Sequence, residues 1–205
     1  MSSVDQQQTY RADLTGLSFR GASGDLRVVS GAAPGTMEVT RHVRWGMMHS
    51  QPKADEKVNG RTLEIDSQCS GFLSPCSVDY QVTVPEGASV TVDVDSGDVA
   101  LTGTLGAVQT KTGSGDIDAS GLTATNTVLR TGSGDLDLSF AVAPGAVDLE
   151  TGSGGVTMAV PTGDAYRVDV STGSGDEDVN LDTSQSSSRT IQVRTGSGDV
   201  TLEYR

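Results

Sequence analysis

The feature that most constrains this chain is a five-residue word that keeps returning. Thr112-Gly113-Ser114-Gly115-Asp116 recurs as Thr131 to Asp135, Thr172 to Asp176 and Thr195 to Asp199, and as Thr151 to Gly155 with glycine in the last place. A degenerate copy runs from Val94 to Asp98, and Gly21-Ala22-Ser23-Gly24-Asp25 sits near the start. The serines at 96, 114, 133, 153, 174 and 197 are spaced by 18, 19, 20, 21 and 23 residues. Units of about 20 residues that each hold only a few apolar side chains must stack to bury them.

Aligning the words tests this reading. Five residues before the first corner glycine stand Val108, Thr127, Val147, Val168 and Ile191; three before it stand Thr110, Leu129, Leu149, Val170 and Val193. After the Asp position come Ile117, Leu136, Val156, Glu177 and Val200, and two residues later Ala119, Leu138, Met158, Val179 and Leu202. Polar residues separate the two rows, so inside and outside alternate with period two, as in strands. Glu177 alone breaks its row. The expected fold is therefore all-β: a single-domain β-solenoid, parallel β-helix-like, of stacked coils with Gly-Ser-Gly-Asp corners and no long helix. Glycine is needed at corners that take positive φ or bring backbones close together.

Residues 1–11 are polar and Gln-rich without periodicity, which predicts a disordered lead-in to a single domain over 12–205. Within it, 36–84 is less regular. Met37 to Val39 with Val43 to Trp45, then Leu63 to Ile65, then Tyr80 to Val84 read as longer strands. Gly46 to Gly60 reads as an exposed loop or hairpin tip, and Pro85-Glu86-Gly87 as the turn that opens the regular stack.

Composition narrows the function. Only 4% of the 205 residues are aromatic and 26 are Gly, which suits a thin stack better than a thick core. A net charge of −13 repels nucleic acid and anionic membrane surfaces, leaving cationic partners or divalent ions. No apolar run approaches the roughly 20 residues of a membrane span, and Met1 to Tyr10 has no signal-peptide pattern. Cys69 and Cys76 are spaced so that a short loop could close a disulfide, the alternative being two reduced thiols. If the bridge forms, the natural setting is extracytoplasmic, with leader or anchor absent from this chain; otherwise it is cytoplasmic.

Tyr80-Gln81-Val82-Thr83-Val84-Pro85-Glu86-Gly87, then Val90-Thr91-Val92 and Ser96-Gly97-Asp98-Val99, then the recurring Thr-Gly-Ser-Gly-Asp units, resemble the bacterial "putative adhesin" family of β-strand-repeat proteins, a domain of unknown function. The resemblance covers about residues 12–205. The segment from Cys69 to Cys76 also looks like actinobacterial members that follow a membrane anchor or export signal. The resemblance implies a domain facing the cell envelope; it does not imply a ligand.

Several residues are candidates for chemistry. Asp98, Asp116, Asp135, Asp176 and Asp199 should form a carboxylate ladder, interrupted by Gly155. Neighbours about 4.8 Å apart repel by about 1 kcal/mol at the dielectric of water. The expected compensation is hydrogen bonding from the backbone amides of each Asp's own corner, as in Asx turns; the alternative is calcium bridging successive coils. Arg41, His42, Arg44, Trp45, Met47, Met48 and His49 gather cations, an aromatic, thioethers and imidazoles in one stretch. It reads as a strand and solvated loop, alternatively as a partner-binding patch or a soft-metal site at Met47, Met48 and His49. The Thr row, Thr112 to Thr195, should pack against its corners. Serine is abundant, but with His42 and His49 the only histidines a catalytic triad has little to draw on. No catalytic residue and no cofactor is assigned.

The favoured reading is a non-catalytic, acidic adhesin-like surface for binding or assembly at the envelope. The alternatives are an accessory or sensor domain of an envelope-stress or signalling system, contacting a membrane protein through Arg41 to His49, and a carbohydrate-active β-helix enzyme using paired carboxylates. The chain stops just after a strand, Val200 to Tyr204, so an uncovered coil edge is expected there, open to a homo-oligomer.

Overall fold

The alternating rows become strands throughout the computed structural model, which describes residues 2–45, 53–68 and 76–205. The strands are β1 (Ser2–Leu14), β2 (Gly16–Ser23), β3 (Leu26–Ala32), β4 (Gly35–Trp45), β5 (Lys53–Asn59), β6 (Thr62–Gln68), β7 (Cys76–Pro85), β8 (Ser89–Ser96), β9 (Val99–Thr102), β10 (Val108–Ser114) and β11 (Ile117–Leu122). They continue as β12 (Asn126–Thr131), β13 (Leu136–Phe140), β14 (Ala146–Thr151), β15 (Val156–Val160), β16 (Arg167–Thr172), β17 (Glu177–Asn180), β18 (Thr190–Thr195) and β19 (Val200–Tyr204). No helix occurs among the described residues.

The protein is all-β, with two large and mostly parallel sheets. Sheet A has the order β1-β4-β7-β3-β9-β11-β13-β15-β19-β17, and sheet B the order β16-β18-β14-β12-β10-β8-β2-β6-β5. Each repeat gives one strand to sheet B, turns at its glycine corner and gives the next strand to sheet A. Such a pair is called a tier here. Registers follow the sequence alignment: Val108 lies beside Thr127, Thr127 beside Val147 and Val147 beside Ile191, while Ile117, Leu136, Val156 and Val200 are successive neighbours in sheet A. The inward rows form one continuous apolar core between the sheets, with Leu129, Leu149, Val193, Leu138, Met158 and Leu202 buried in it.

Tier order departs from chain order at both ends. From one end the tiers run β6/β7, β2/β3, β8/β9, β10/β11, β12/β13, β14/β15, β18/β19, β16/β17. The first tier of the chain is thus inserted between the second and third, and the last between the two before it. Hence Val200 to Tyr204, expected at an uncovered edge, is interior: β19 pairs with β15 on one side and β17 on the other. Among the described residues, the edge strands are β16 and β17 at one end and β5 and β1 at the other. Arg189 helps hold the inserted tier, donating from Nη1 to the carbonyls of Ala143 and Pro144, 3.0 Å each, and from Nε to Asp164 Oδ1 at 3.0 Å. The Tyr204 hydroxyl donates to the Asp164 carbonyl at 2.9 Å and accepts from the Asp182 amide at 3.0 Å.

Two expectations for the first part of the chain are corrected. Residues 2–11, expected to be a disordered lead-in, lie in β1, which pairs antiparallel with β4 from Ser2 opposite Trp45 to Arg11 opposite Thr36. Lys53–Asn59, expected within a loop, is a strand paired antiparallel with β6 and turned at Gly60, φ 60°. Both strands escaped the pattern for one reason. Their half-buried positions interrupt the apolar pattern, Gln6 between Val4 and Tyr10 in β1 and Glu56 in β5, so no regular apolar alternation marks them. Strands β4, β6 and β7 and the turn after Pro85 fall where the sequence places them.

Two threonines occupy inward positions that other tiers give to aliphatic residues. Thr110, between Val92 and Leu129, and Thr127, between Val108 and Val147, are each 1% exposed, and their hydroxyls have no hydrogen-bond partner. A buried hydroxyl without a partner costs stability that an apolar group of the same shape does not. Thr110→Val should therefore raise unfolding free energy by about 1 kcal/mol, read as a higher denaturant midpoint at unchanged slope.

Candidate functional site

The recurring word is the candidate site, and its letters have distinct physical roles. The second glycine of each word has positive φ, +133° at Gly115 and +149° at Gly134, a region that strains any residue with a Cβ. Space demands glycine as well: a Cβ on Gly134 would lie 2.1 Å from the carbonyl oxygen of Gly115 in the tier below. The corners stack this closely because backbone bonds link them, as from the Gly115 amide to the Ser133 carbonyl and from the Gly134 amide to the Ser153 carbonyl, 2.9 Å each.

The threonine of each word, buried except for the half-buried Thr172 of the end tier, donates its hydroxyl proton to a glycine carbonyl one tier away. Thr131 Oγ1 reaches Gly115 at 3.0 Å, Thr151 reaches Gly134 at 2.9 Å, Thr195 reaches Gly154 at 3.0 Å and Thr172 reaches Gly198 at 3.0 Å. The row packs into the corner, as expected.

The aspartates form the expected ladder, with a different compensation. Each carboxylate except Asp176, in the last tier of the stack, accepts from the amide of the next tier, not from its own corner. The amide of Asp116 donates to Asp98 Oδ1 at 3.0 Å, that of Asp135 to Asp116 at 2.8 Å, that of Gly155 to Asp135 at 2.7 Å and that of Asp176 to Asp199 at 2.9 Å. The reason is geometric: the positive-φ glycine turns the following amide along the stack axis, toward the neighbouring carboxylate. The ladder also runs further than the five Asp residues. Asp98 donates its amide to Asp25 Oδ1, and Asp25 to Asp79 Oδ1, both at 3.1 Å. Asp79 lies in no glycine word and was missed. Its signal is position, immediately before the alternating strand residues Tyr80 to Val84, where every other ladder Asp stands.

Gly155 is the gap in this ladder. A Cβ there would meet only Asp199 O at 3.4 Å and Asp135 Oδ1 at 3.8 Å, ordinary contacts. The position could thus carry an aspartate.

Beside the ladder, the outer face of sheet A holds a second carboxylate row, with Asp118 directly next to Asp137. A groove of about 590 Å3 runs where this face meets the corners of Asp25, Asp79, Asp98 and Asp116, with Arg27 and His42 at its side. Among the described residues, no group of three or more His, Cys, Asp or Glu is arranged to hold a metal ion.

The residues of the Arg41 to His49 stretch are divided. Arg41 turns inward and is bound by Glu56 Oε1 and Gln6 Oε1, 2.6 Å each. Glu56, its side chain 6% exposed, also accepts from the Tyr10 hydroxyl. Burial, then the Glu56 carboxylate, push the Tyr10 phenol far above its usual range, so it stays protonated as the donor. Together these groups plug the space between the sheets at the β1 and β5 end. His42 and Arg44 point outward and pair with Asp5 and Asp79. Met47, Met48, His49 and Cys69 lie outside the described residues, as do the side chains of Trp45 and Cys76, and with them the proposed disulfide.

The model of the Toastrack DUF4097 family matches residues 70–203. The chain belongs to that family. Among solved structures, it is similar to a "putative cell adhesion protein" from Clostridium sporogenes ATCC 15579, with 16% identity, all of both chains covered and a TM-score of 0.53, a likeness of fold. A "putative adhesin" from Bacteroides fragilis NCTC 9343 aligns over 97% of both chains with 14% identity and a TM-score of 0.49. No curated protein matches the sequence.

Two substitutions test the corner of this Toastrack chain. Gly134→Ala should destabilise by about 2 kcal/mol or more, through left-handed strain and the clash with Gly115. Gly155→Asp should stabilise by about 1 kcal/mol, since the new carboxylate accepts the Asp199 amide and glycine's unfolded-state freedom is lost. Thermal unfolding monitored by circular dichroism reads both.

Proposed function

We propose that this Toastrack chain is a non-catalytic, adhesin-like module: a two-sided β-solenoid whose stacked tiers display binding rows at the bacterial cell envelope. The observation that carries this reading is the commitment of the repeated polar groups to the stack. Thr hydroxyls, Gly and Ser carbonyls and Asp Oδ1 atoms all bond from tier to tier. The repeated word is thus architectural, and what it presents outward is a set of regular rows about 4.8 Å apart. A catalytic centre needs one place unlike its neighbours; rows suit repetitive or extended ligands.

The two faces differ in charge, which favours a particular class of partner. Sheet A and the corner carry Asp25, Asp79, Asp98, Asp116, Asp118, Asp135 and Asp137 against Arg27, His42 and Arg44. The outer face of sheet B alternates in sign, as where Arg130 lies between Asp148 and Glu150 of the next strand at 2.9 and 3.5 Å. A cationic or polyhydroxylated surface polymer fits the first face better than a polyanion. The Clostridium sporogenes neighbour carries the name "putative cell adhesion protein", which supports the adhesin-like part of this reading. The reading in which Arg41 to His49 docks on a membrane protein is less favoured, because Arg41 and Arg44 are already held by Glu56 and Asp79.

The test is retention of the purified chain on a panel of cell-wall polysaccharides and isolated envelope material, with released reducing ends assayed in parallel. Saturable retention without release, weakened by Asp118→Asn and Asp137→Asn together, is the expected result. Turnover that scales with protein concentration would replace this reading with the carbohydrate-active one.

A further inference from the structure

The tier of β16 and β17 ends the stack, although it is not the last tier of the chain. Its inward residues Val168, Val170 and Val179 are only partly buried, and β16 lies beside a single full partner, β18. Odd-numbered amides of β16 serve that partner, Arg167 donating to Arg189 and, just beyond the strand, Gly173 to Thr195. By strand alternation the backbone groups of Val168 and Val170 point the other way, to the open side. An edge that offers inward valines and free backbone groups matches what β14 offers β18 inside the stack. The strand type that fits it is therefore one from this same sequence, such as a second copy's β16.

Two features shorten this edge. At its start, Tyr166 pairs with Thr183 and exchanges backbone bonds with Asp182 and Ser184. At its finish, the amide of Thr172 donates to Glu177 Oε1 at 3.1 Å. Glu177 is the charged residue in a row otherwise filled by Ile117, Leu136, Val156 and Val200, and it pairs in register with Val200. From that position, exposed at the end of the stack, its carboxylate reaches back across the glycine corner and takes up the Thr172 amide.

We propose that Glu177 is the terminator of the stack: its carboxylate, placed at the corner of the exposed β16/β17 tier, denies that end to a second copy of this chain. The same residue accounts for the inverted tier order. A carboxylate without a partner cannot be buried between two tiers without a cost of several kcal/mol. The Glu177 tier is therefore kept at the end, and the wholly apolar tier of Ile191, Val193, Val200 and Leu202 fills the slot below it. An inward charge on an edge strand is a recognised guard against edge-to-edge pairing.

The experiment compares the full chain with Glu177→Val and with Glu177→Val/Val170→Pro by light scattering across a concentration series. Proline at 170 removes an amide that points away from β18, so the fold is kept while edge pairing is blocked. The expected result is one-chain mass for the native sequence, at least a doubling of mass for Glu177→Val, and a return to one-chain mass for the double variant. Amide exchange on the native chain supplies an independent reading, with Val168 and Val170 exchanging equally fast at low and high protein concentration. A single-chain Glu177→Val protein with native circular dichroism, association that survives Val170→Pro, or concentration-dependent protection of Val168 and Val170 in the native chain would each overturn the proposal.

Discussion

Everything in this structure depends on how closely successive backbones approach at the glycine corner. Parallel tiers satisfy their backbone groups only through the tiers on either side. A corner that kept neighbours even an ångström further apart would leave strand bonds long on both faces. The two glycines remove the atoms that would hold the tiers apart, Gly132 beside the Gly113 carbonyl and Gly134 beside the Gly115 carbonyl. Threonine and aspartate then use the proximity, one donating to the tier below and the other accepting from the tier above. Five residues thus supply both the closeness and the bonds that exploit it.

The ladder also shows why an acidic chain tolerates a row of like charges. Each carboxylate inside the ladder meets a backbone amide about 3 Å away, and a charge-assisted bond of this kind outweighs the solvent-screened repulsion of a neighbour one tier distant. A resident cation is not needed to explain the row. The repeated motif resembles a ligand-binding signature because it is rich in Ser, Thr and Asp, yet its Thr hydroxyls, Ser carbonyls and Asp Oδ1 atoms bond from tier to tier in building the stack.

The two ends of the stack solve one problem with different polar devices. At the β1 and β5 end, Gln6, Tyr10, Arg41 and Glu56 satisfy each other in the gap between the sheets, a plug that replaces apolar filling. At the β16 and β17 end, a single exposed carboxylate sits at the corner and takes one backbone amide. Repeat stacks need polar caps to stay soluble, and here the caps come from inside the repeat pattern and from strands too polar to look like strands.

The sequence by itself determined the repeated unit, its corner, its inward rows and the register between tiers, because period-two alternation and glycine chemistry are local and repeat at matching offsets. Val108, Thr127 and Val147 are neighbours in space for the same reason that they align by eye. Only the tertiary structure decided the order of the tiers, which Asp joins the ladder from outside the motif, and the strand character of residues 2–11 and 53–59. Those outcomes turn on partners distant in the chain. Gln6 and Glu56 find Arg41, Asp25 finds Asp79, and Glu177 is excluded from the interior while Val200 is not. A residue's pattern states which face it belongs on; which tier will lie against that face is settled by desolvation and packing over the whole stack, and no window of sequence contains that comparison.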